Sequence, residues 1–224
     1  MRGKKFLFYI VGIGGTGSLL ARDLPQLLIG TKHRMMLIDG DTVERKNVAR
    51  QSFQTQDIGW NKAIALARKI NTFYDIECLA FDNYIDSASL IKLITDGPAD
   101  MTPVILGCVD NDATREQMEM AVKGMRKVIY IDSANSAYSG NVYVTAKAND
   151  KFYGSFRSEV YPLEKDKSPL ELSCQDQAAA GNLQYLVTNA KMAVCMLEHC
   201  FNLISDEPLM VGVTKIDRFT EIHY

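Results

Sequence analysis

The sequence predicts an α/β fold, built on a mostly parallel sheet with helices on both faces. Three observations carry that expectation. Short apolar runs alternate with segments of helical spacing through about the first 130 residues, the pattern of βαβ units with right-handed crossovers. A glycine-rich loop directly follows the first apolar run. Acidic residues recur at or just past the ends of these runs, where open parallel sheets bind their ligands.

Lys5 to Val11 reads as a buried strand that stops at Gly12. Ser18 to Leu28 has helical spacing, and Pro25 is expected to bend it or end it early. Arg34 to Ile38 is a second strand, closed by Asp39. After a polar stretch, Asn61 to Asn71 gathers Ala, Leu and Ile on one side of a helix. Ile76 to Phe81 is a strand and Ser87 to Ile94 a short helix. Val104 to Val109 is a further strand, followed by a helix over Asp112 to Gly124 with Asp112 as its cap. Val128 to Ile131 is the next strand, with Asp132 just past its end and facing the cleft. The pattern then changes. Asn141 to Lys147 alternates like an exposed strand, and Asp150 to Ser168 is polar with little periodicity. Gln177 to Cys200 reads as a long helix interrupted near Gly181, and Leu209 to Val213 as one last strand.

Composition narrows the function classes. Lys plus Arg is 25 and Asp plus Glu is 27 in 224 residues, a net charge of -2, which argues against a nucleic-acid binder. No apolar run approaches the roughly 18 to 20 residues of a membrane span. The basic start of MRGKKFLFYIVGIGG imitates a secretory leader, but its apolar part is only Phe6 to Val11 and glycines follow, so a first strand is expected. Five cysteines without a Cys-x-x-Cys pair predict neither a disulfide framework nor a four-cysteine zinc site, and a reducing, cytoplasmic location is the expectation.

Gly12-Ile13-Gly14-Gly15-Thr16-Gly17 lies between a strand and a helix. Glycines permit the sharp turn and let phosphate oxygens approach the amides at the helix N-terminus. The loop by itself does not choose among NAD, FAD and ATP, and it is not a Walker A loop, since no Gly-Lys-Ser/Thr follows. Asp39 stands where a carboxylate accepts from ribose hydroxyls. Asp39-Gly40-Asp41-Thr42-Val43-Glu44 is followed by Asn47, Arg50, Gln51, Gly59 and Lys62, an odd polar insertion for a nicotinamide enzyme. An Arg and a Lys there suit a triphosphate, whose charge must be neutralised as the α-phosphorus is attacked. Lys62 opens a helix, where its charge opposes the dipole unless an anion lies nearby. Asp110, in Gly107-Cys108-Val109-Asp110-Asn111-Asp112, ends a central strand and is the candidate for a metal ligand or for the phosphate end of the site.

Together these segments resemble the ThiF/MoeB/E1 superfamily, which adenylates the C-termini of ubiquitin-like and sulfur-carrier proteins. The matching text is GIGGTG at 12–17, LIDGDTVERKNVARQSF at 37–53, DIGWNKAIALA at 57–67 and GCVDNDATR at 107–115. The resemblance implies a Rossmann-like adenylation domain over 1–224. Its nucleotide-binding core would span 1–135, and an extension at 136–224 would carry a carrier-binding or dimerisation surface. It implies that Gly12, Gly14, Gly15 and Gly17 cradle ATP and that Asp39 holds the ribose. Asn47, Arg50 and Lys62 would face the phosphates beside Gln51, and Asp110 would coordinate Mg²⁺, with Asp41 and Asn111 completing the nucleotide site. The implied partner is a ubiquitin-like or sulfur-carrier protein with a glycine-ending tail, and the implied assembly is a homodimer, with neither nucleic acid nor membrane involved.

Three departures from the family pattern matter. The two Cys-x-x-Cys pairs of the structural zinc site are absent, so no zinc is expected. The chain starts almost at its first strand, without the helix that donates an arginine across the dimer; Arg2, Lys4 and Lys5 are candidate substitutes. The cysteine-bearing crossover segment is not recognisable. The zinc-free form and modest length are similar to the ThiF-type proteins of PRTRC gene clusters. Cys174, in a polar segment before the last helix, is the best candidate for a thioester or persulfide. Cys78 and Cys108 fall in strands and read as core. Cys195 and His199 share a helical face, but nothing nearby completes a metal site. Three alternatives stay open: an enzyme adenylating a peptide or small carboxylate, an NAD-dependent oxidoreductase, and a non-catalytic subunit of a split activating enzyme.

Overall fold

The computed structural model describes residues 3–136, 138–166, 186–217 and 221–223. The expected α/β architecture is the one observed. β1 (Phe6–Val11) lies between β2 (Arg34–Ile38) and β4 (Thr102–Gly107), parallel to both. β3 (Cys78–Phe81) pairs outside β2, and β5 (Val128–Asn135) outside β4, again in parallel. β6 (Gly140–Ala148), β8 (Gly212–Ile216) and β9 (Glu221–His223) extend the sheet antiparallel, giving the order β3-β2-β1-β4-β5-β6-β8-β9. The short β7 (Lys151–Gly154) pairs with the far half of β6.

β1 shows why the sheet sits between layers. Phe6, Phe8 and Ile10 enter one apolar cluster, whereas Leu7, Tyr9 and Val11 enter the other, as alternate Cβ directions require. The first cluster packs α1 (Gly15–Leu28), α3 (Lys62–Tyr74) and α7 (Leu186–Ile204); the second packs α4 (Ser87–Thr95) and α5 (Asp112–Gly124). Two four-residue turns of helix, α2 (Arg45–Val48) and α6 (Arg157–Val160), lie in the connections. Strand order reverses between β1 and β4, and such a switch point opens a crevice at the carboxyl ends of the strands.

Four expectations change. Pro25 neither ends nor shortens α1. It forfeits one backbone hydrogen bond, but Leu20, Leu24 and Leu28 are each at most 1% exposed, and burial stabilises by about 1.5–3 kcal/mol per such side chain. β6 is not an exposed strand: Val142, Tyr143 and Val144 are at most 1% exposed, because neighbouring strands flank it and α7 packs on one face. Asp132 does not lie past the end of β5 or face the cleft. Pairing with β6 carries β5 on to Asn135 and leaves Asp132 fully buried. Asp112 is not the cap of α5; Asn111 fills that place, its side chain accepting from Thr114 N–H at 2.8 Å. The last strands also differ, since β8 runs from Gly212 to Ile216 and β9 follows it.

Candidate functional site

The glycines after β1 divide the work among them. Gly12 adopts φ +87° and donates to Ile38 O at 2.9 Å, turning the chain out of the sheet. A Cβ at Gly17 would lie 1.8 Å from Gly12 O, so glycine there lets α1 press against the turn. Gly15 answers to a different neighbour: a Cβ would stand 2.1 Å from Nδ2 of Asn189 on α7. At Gly14 nothing lies within 4 Å of that position, leaving room for a ligand over the first turn of the helix.

Asp39, at the end of β2, accepts from Ile13 N–H at 2.6 Å and from Asp41 N–H at 2.7 Å, which ties the glycine loop to the second strand. Burial pushes its carboxyl up to about 6, against the opposing pull of Lys62. Lys62 is 7% exposed at the start of α3, and its ammonium meets Asp41 at 2.6 Å. Burial opposes its charge, yet Asp39, Asp41 and Asp110 outweigh that and raise its pKa. Burial would raise Asp41 as well, but Lys62 and the Tyr84 hydroxyl hold it below the usual carboxylate range. The Tyr84 ring also covers Gly40, where a Cβ would lie 2.7 Å from it. Asn61 organises the corner: its Oδ1 caps α3 at Ile64 N–H, and its Nδ2 donates to the carbonyls of Asp39 and Asp41.

The insertion between β2 and α3 holds the remaining polar residues. Asn47 is 3% exposed, with Oδ1 accepting from Glu44 N–H at 2.7 Å, so it shapes the α2 turn. Ser52 N–H donates to Ser18 Oγ at 3.1 Å and fixes this loop to the first turns of α1. Gln51 Oε1 is buried without a hydrogen-bond partner. Arg50 and Gln51 also line a cleft of about 520 Å³ between α1 and α3, with Arg22, Lys69 and Phe73. The glycine loop and Asp110 take no part in that cleft.

Across the crevice Asp110 is exposed beyond the end of β4. The segment carrying it is held from behind by Arg115, which is 4% exposed. Its guanidinium donates to Asp132 and Asp112, each at 3.0 Å, and to the carbonyls of Val109 and Ser133 at 2.6 and 2.7 Å. Burial raises the Asp132 carboxyl to about 6, and the charge of Arg115 works against it. Arg157 and Glu164 N–H also bind Asp112, and Asp166 accepts from Asp112 N–H and Ala113 N–H at 2.8 and 2.7 Å.

The structure thus gathers Gly12, Gly14, Gly15, Gly17, Asp39, Asp41 and Lys62 on one side, and Asp110 and Asn111 on the other. Cys174 lies outside the described residues, as does Arg2. Cys78, Cys108, Cys195 and Cys200 are buried, and burial pushes Cys78 and Cys108 up to about 12, far from thiolates at neutral pH. His199 is 5% exposed, and burial lowers it to about 4. Among the described residues no group of three or more His, Cys, Asp or Glu side chains gathers to hold a metal ion, and no helix is long and apolar enough to cross a membrane. Sequence reasoning missed Tyr84, Arg115, Asn135 and Asn189. Arg115 stood in a quoted motif; the other three had no local signal.

Comparison with known proteins bears on the family and the fold. The profile of the ThiF family matches residues 4–222. Ubiquitin-like modifier-activating enzyme 5 of Branchiostoma floridae is 32% identical over 154 residues, covering 63% of this chain and 36% of that one. The Gallus gallus protein of the same name is 30% identical over 152 residues, covering 62% and 36%. The matched region is about a third of the length of these relatives. Among solved structures, E. coli MccB with MccA-N7isoASN superimposes with a TM-score of 0.73 at 17% identity, over 98% of this chain and 64% of that one. PaaA gives a TM-score of 0.67 at 19% identity, over 97% and 64%. At those identities the likeness is one of fold.

Proposed function

The chain belongs to the ThiF family, and on that premise we propose that it is an ATP- and Mg²⁺-dependent adenylyltransferase. Its substrate is the C-terminal glycine carboxylate of a ubiquitin-like or sulfur-carrier protein. A substrate carboxylate oxygen bonds to the α-phosphorus of ATP, the bond to the β-phosphate oxygen breaks, and pyrophosphate leaves. In this reading Asp39 accepts from the ribose hydroxyls, and the open amide face at Gly14 receives the phosphates. Lys62 holds the triphosphate, and Arg50 and Gln51, which line the neighbouring cleft between α1 and α3, turn toward it on the loop that Asn47 shapes. Asp41 shares Lys62 with the nucleotide, and Asn111 fixes the start of α5. Asp110 would hold the magnesium ion, which supplies charge compensation alongside these cations; one carboxylate plus phosphates is a common Mg²⁺ set. The protein acts as a cytoplasmic homodimer whose 136–224 portion meets the carrier, and Cys174 is the candidate acceptor of the activated chain.

The observation that carries the reading is Lys62. A buried ammonium stands at the N-terminal end of a helix, where the dipole disfavours it, among the carboxylates of Asp39, Asp41 and Asp110. A leaving pyrophosphate gives that ammonium a developing charge to compensate. Calorimetric titration with ATP plus Mg²⁺, beside NAD and with Asp110→Ala as control, tests it. ATP should bind, NAD should not, and the variant should bind ATP more weakly at matched magnesium. Pyrophosphate exchange that depends on a glycine-ending carrier should follow. Tight NAD binding without ATP binding would overturn the proposal.

A further inference from the structure

We infer that Asn189, oriented by Asn135, receives the carboxylate of the acyl substrate; this deepens the adenylation reading and rests on it. Asn189 is fully buried on α7. Its Oδ1 accepts from Asn135 Nδ2 at 3.1 Å and from Thr16 Oγ at 3.5 Å. That orientation points Nδ2 at Gly15, and Nδ2 has no acceptor. Folded proteins leave few buried donors unpaired, because each has given up its bonds to water. The glycine at position 15 is what lets this amide reach the loop at all.

Position supplies the second line of argument. Along the carboxyl edge of the sheet the order β2-β1-β4-β5 sets Asp39, the glycine loop, Asp110 and Asn135 in sequence. Lys62 and Asp41 stand on the β2 side. In-line transfer puts the attacking oxygen opposite the leaving group. Cations that hold pyrophosphate on the β2 side therefore require the carboxylate to arrive from the β5 side, the side on which Asn135 meets Asn189 and Asn189 Nδ2 faces Gly15. A neutral amide suits the task. It orients a carboxylate without cancelling the charge that makes it a nucleophile.

The probes are 5′-O-sulfamoyladenosine and its N-glycylglycyl derivative, a stable mimic of an acyl adenylate, titrated calorimetrically into the full chain. The wild type should bind the acylated compound more tightly. Asn189→Ala should weaken the acylated compound by about tenfold, the scale of one hydrogen bond, and leave sulfamoyladenosine unchanged. Asn135→Ala, which keeps the Asn189 side chain and removes the donor that orients it, should show a smaller loss of the same kind. Asn189→Ala also strips Asn135 and Thr16 of their acceptor, so its melting temperature should fall somewhat, a loss that by itself would weaken both compounds equally. Equal losses for both compounds, or no loss for either, in both variants would overturn the inference. A wild-type chain that binds neither compound would instead sink the adenylation reading beneath it.

Discussion

Arg115 and Lys62 are both buried cations beside aspartates at the carboxyl edge of the sheet, yet they are enclosed very differently. Arg115 spends its donors on Asp132, Asp112 and two carbonyls, and the side chains of both aspartates are at most 6% exposed. The Lys62 ammonium has three donors and meets Asp41, whose side chain is 45% exposed. A cluster enclosed on every side, with the Arg115 donors already taken up, holds the chain in place. A lysine with spare donors and a half-solvated partner can exchange that partner for an incoming anion at little cost. One cluster thus fixes the Asp110 loop, whereas the other leaves the Lys62 ammonium with donors to spare.

The largest effect should come from breaking the closed cluster. Arg115→Met leaves Asp132 without its counter-charge in a fully buried place and should destabilise the protein by about 3–5 kcal/mol in urea unfolding. A loss below about 1 kcal/mol would mean that the cluster is not the support described. Lys62→Met should do the reverse. Pyrophosphate exchange should fall by about 100- to 1,000-fold, while the melting temperature moves little, because the partner left behind is half-solvated. A collapse in stability with retained exchange would erase the distinction between the clusters. The smallest effect is on pH. Asp39 is ionised above its raised pKa of about 6 and protonated below it, so it loses acceptor capacity as the solution is acidified. ATP affinity should decline by up to about tenfold per pH unit below that point. Asp39→Asn should bind more weakly at pH 7 and show a flatter profile between pH 7 and 5, whereas an unchanged profile would mean that Asp39 does not meet the nucleotide.

Much of the site was legible because it is local. Gly12 and Asp39 directly follow the ends of β1 and β2, which come from apolar runs that stop, and Asp110 lies three residues past the end of β4. The N-cap at Asn61 and the helix opened by Lys62 are likewise short-range features. The misreadings share one cause, which is contact across long sequence distances. The partners of β6 decided whether it was buried, and the continuation of β5 past Ile131 depends on pairing with Gly140 to Val144. Pro25 stays helical because of what α1 packs against, and Asp132 turns inward because Gly107 leaves room for its carboxylate beside β4. Asn189 meets Thr16 from 173 residues away. By itself the sequence determined the parallel α/β core, the glycine turn and the acids at its edge, since periodicity and turn chemistry act over a few residues. Only the tertiary structure decided which buried charges are fully enclosed and which glycine answers to a side chain, because desolvation and close packing depend on every neighbour in space.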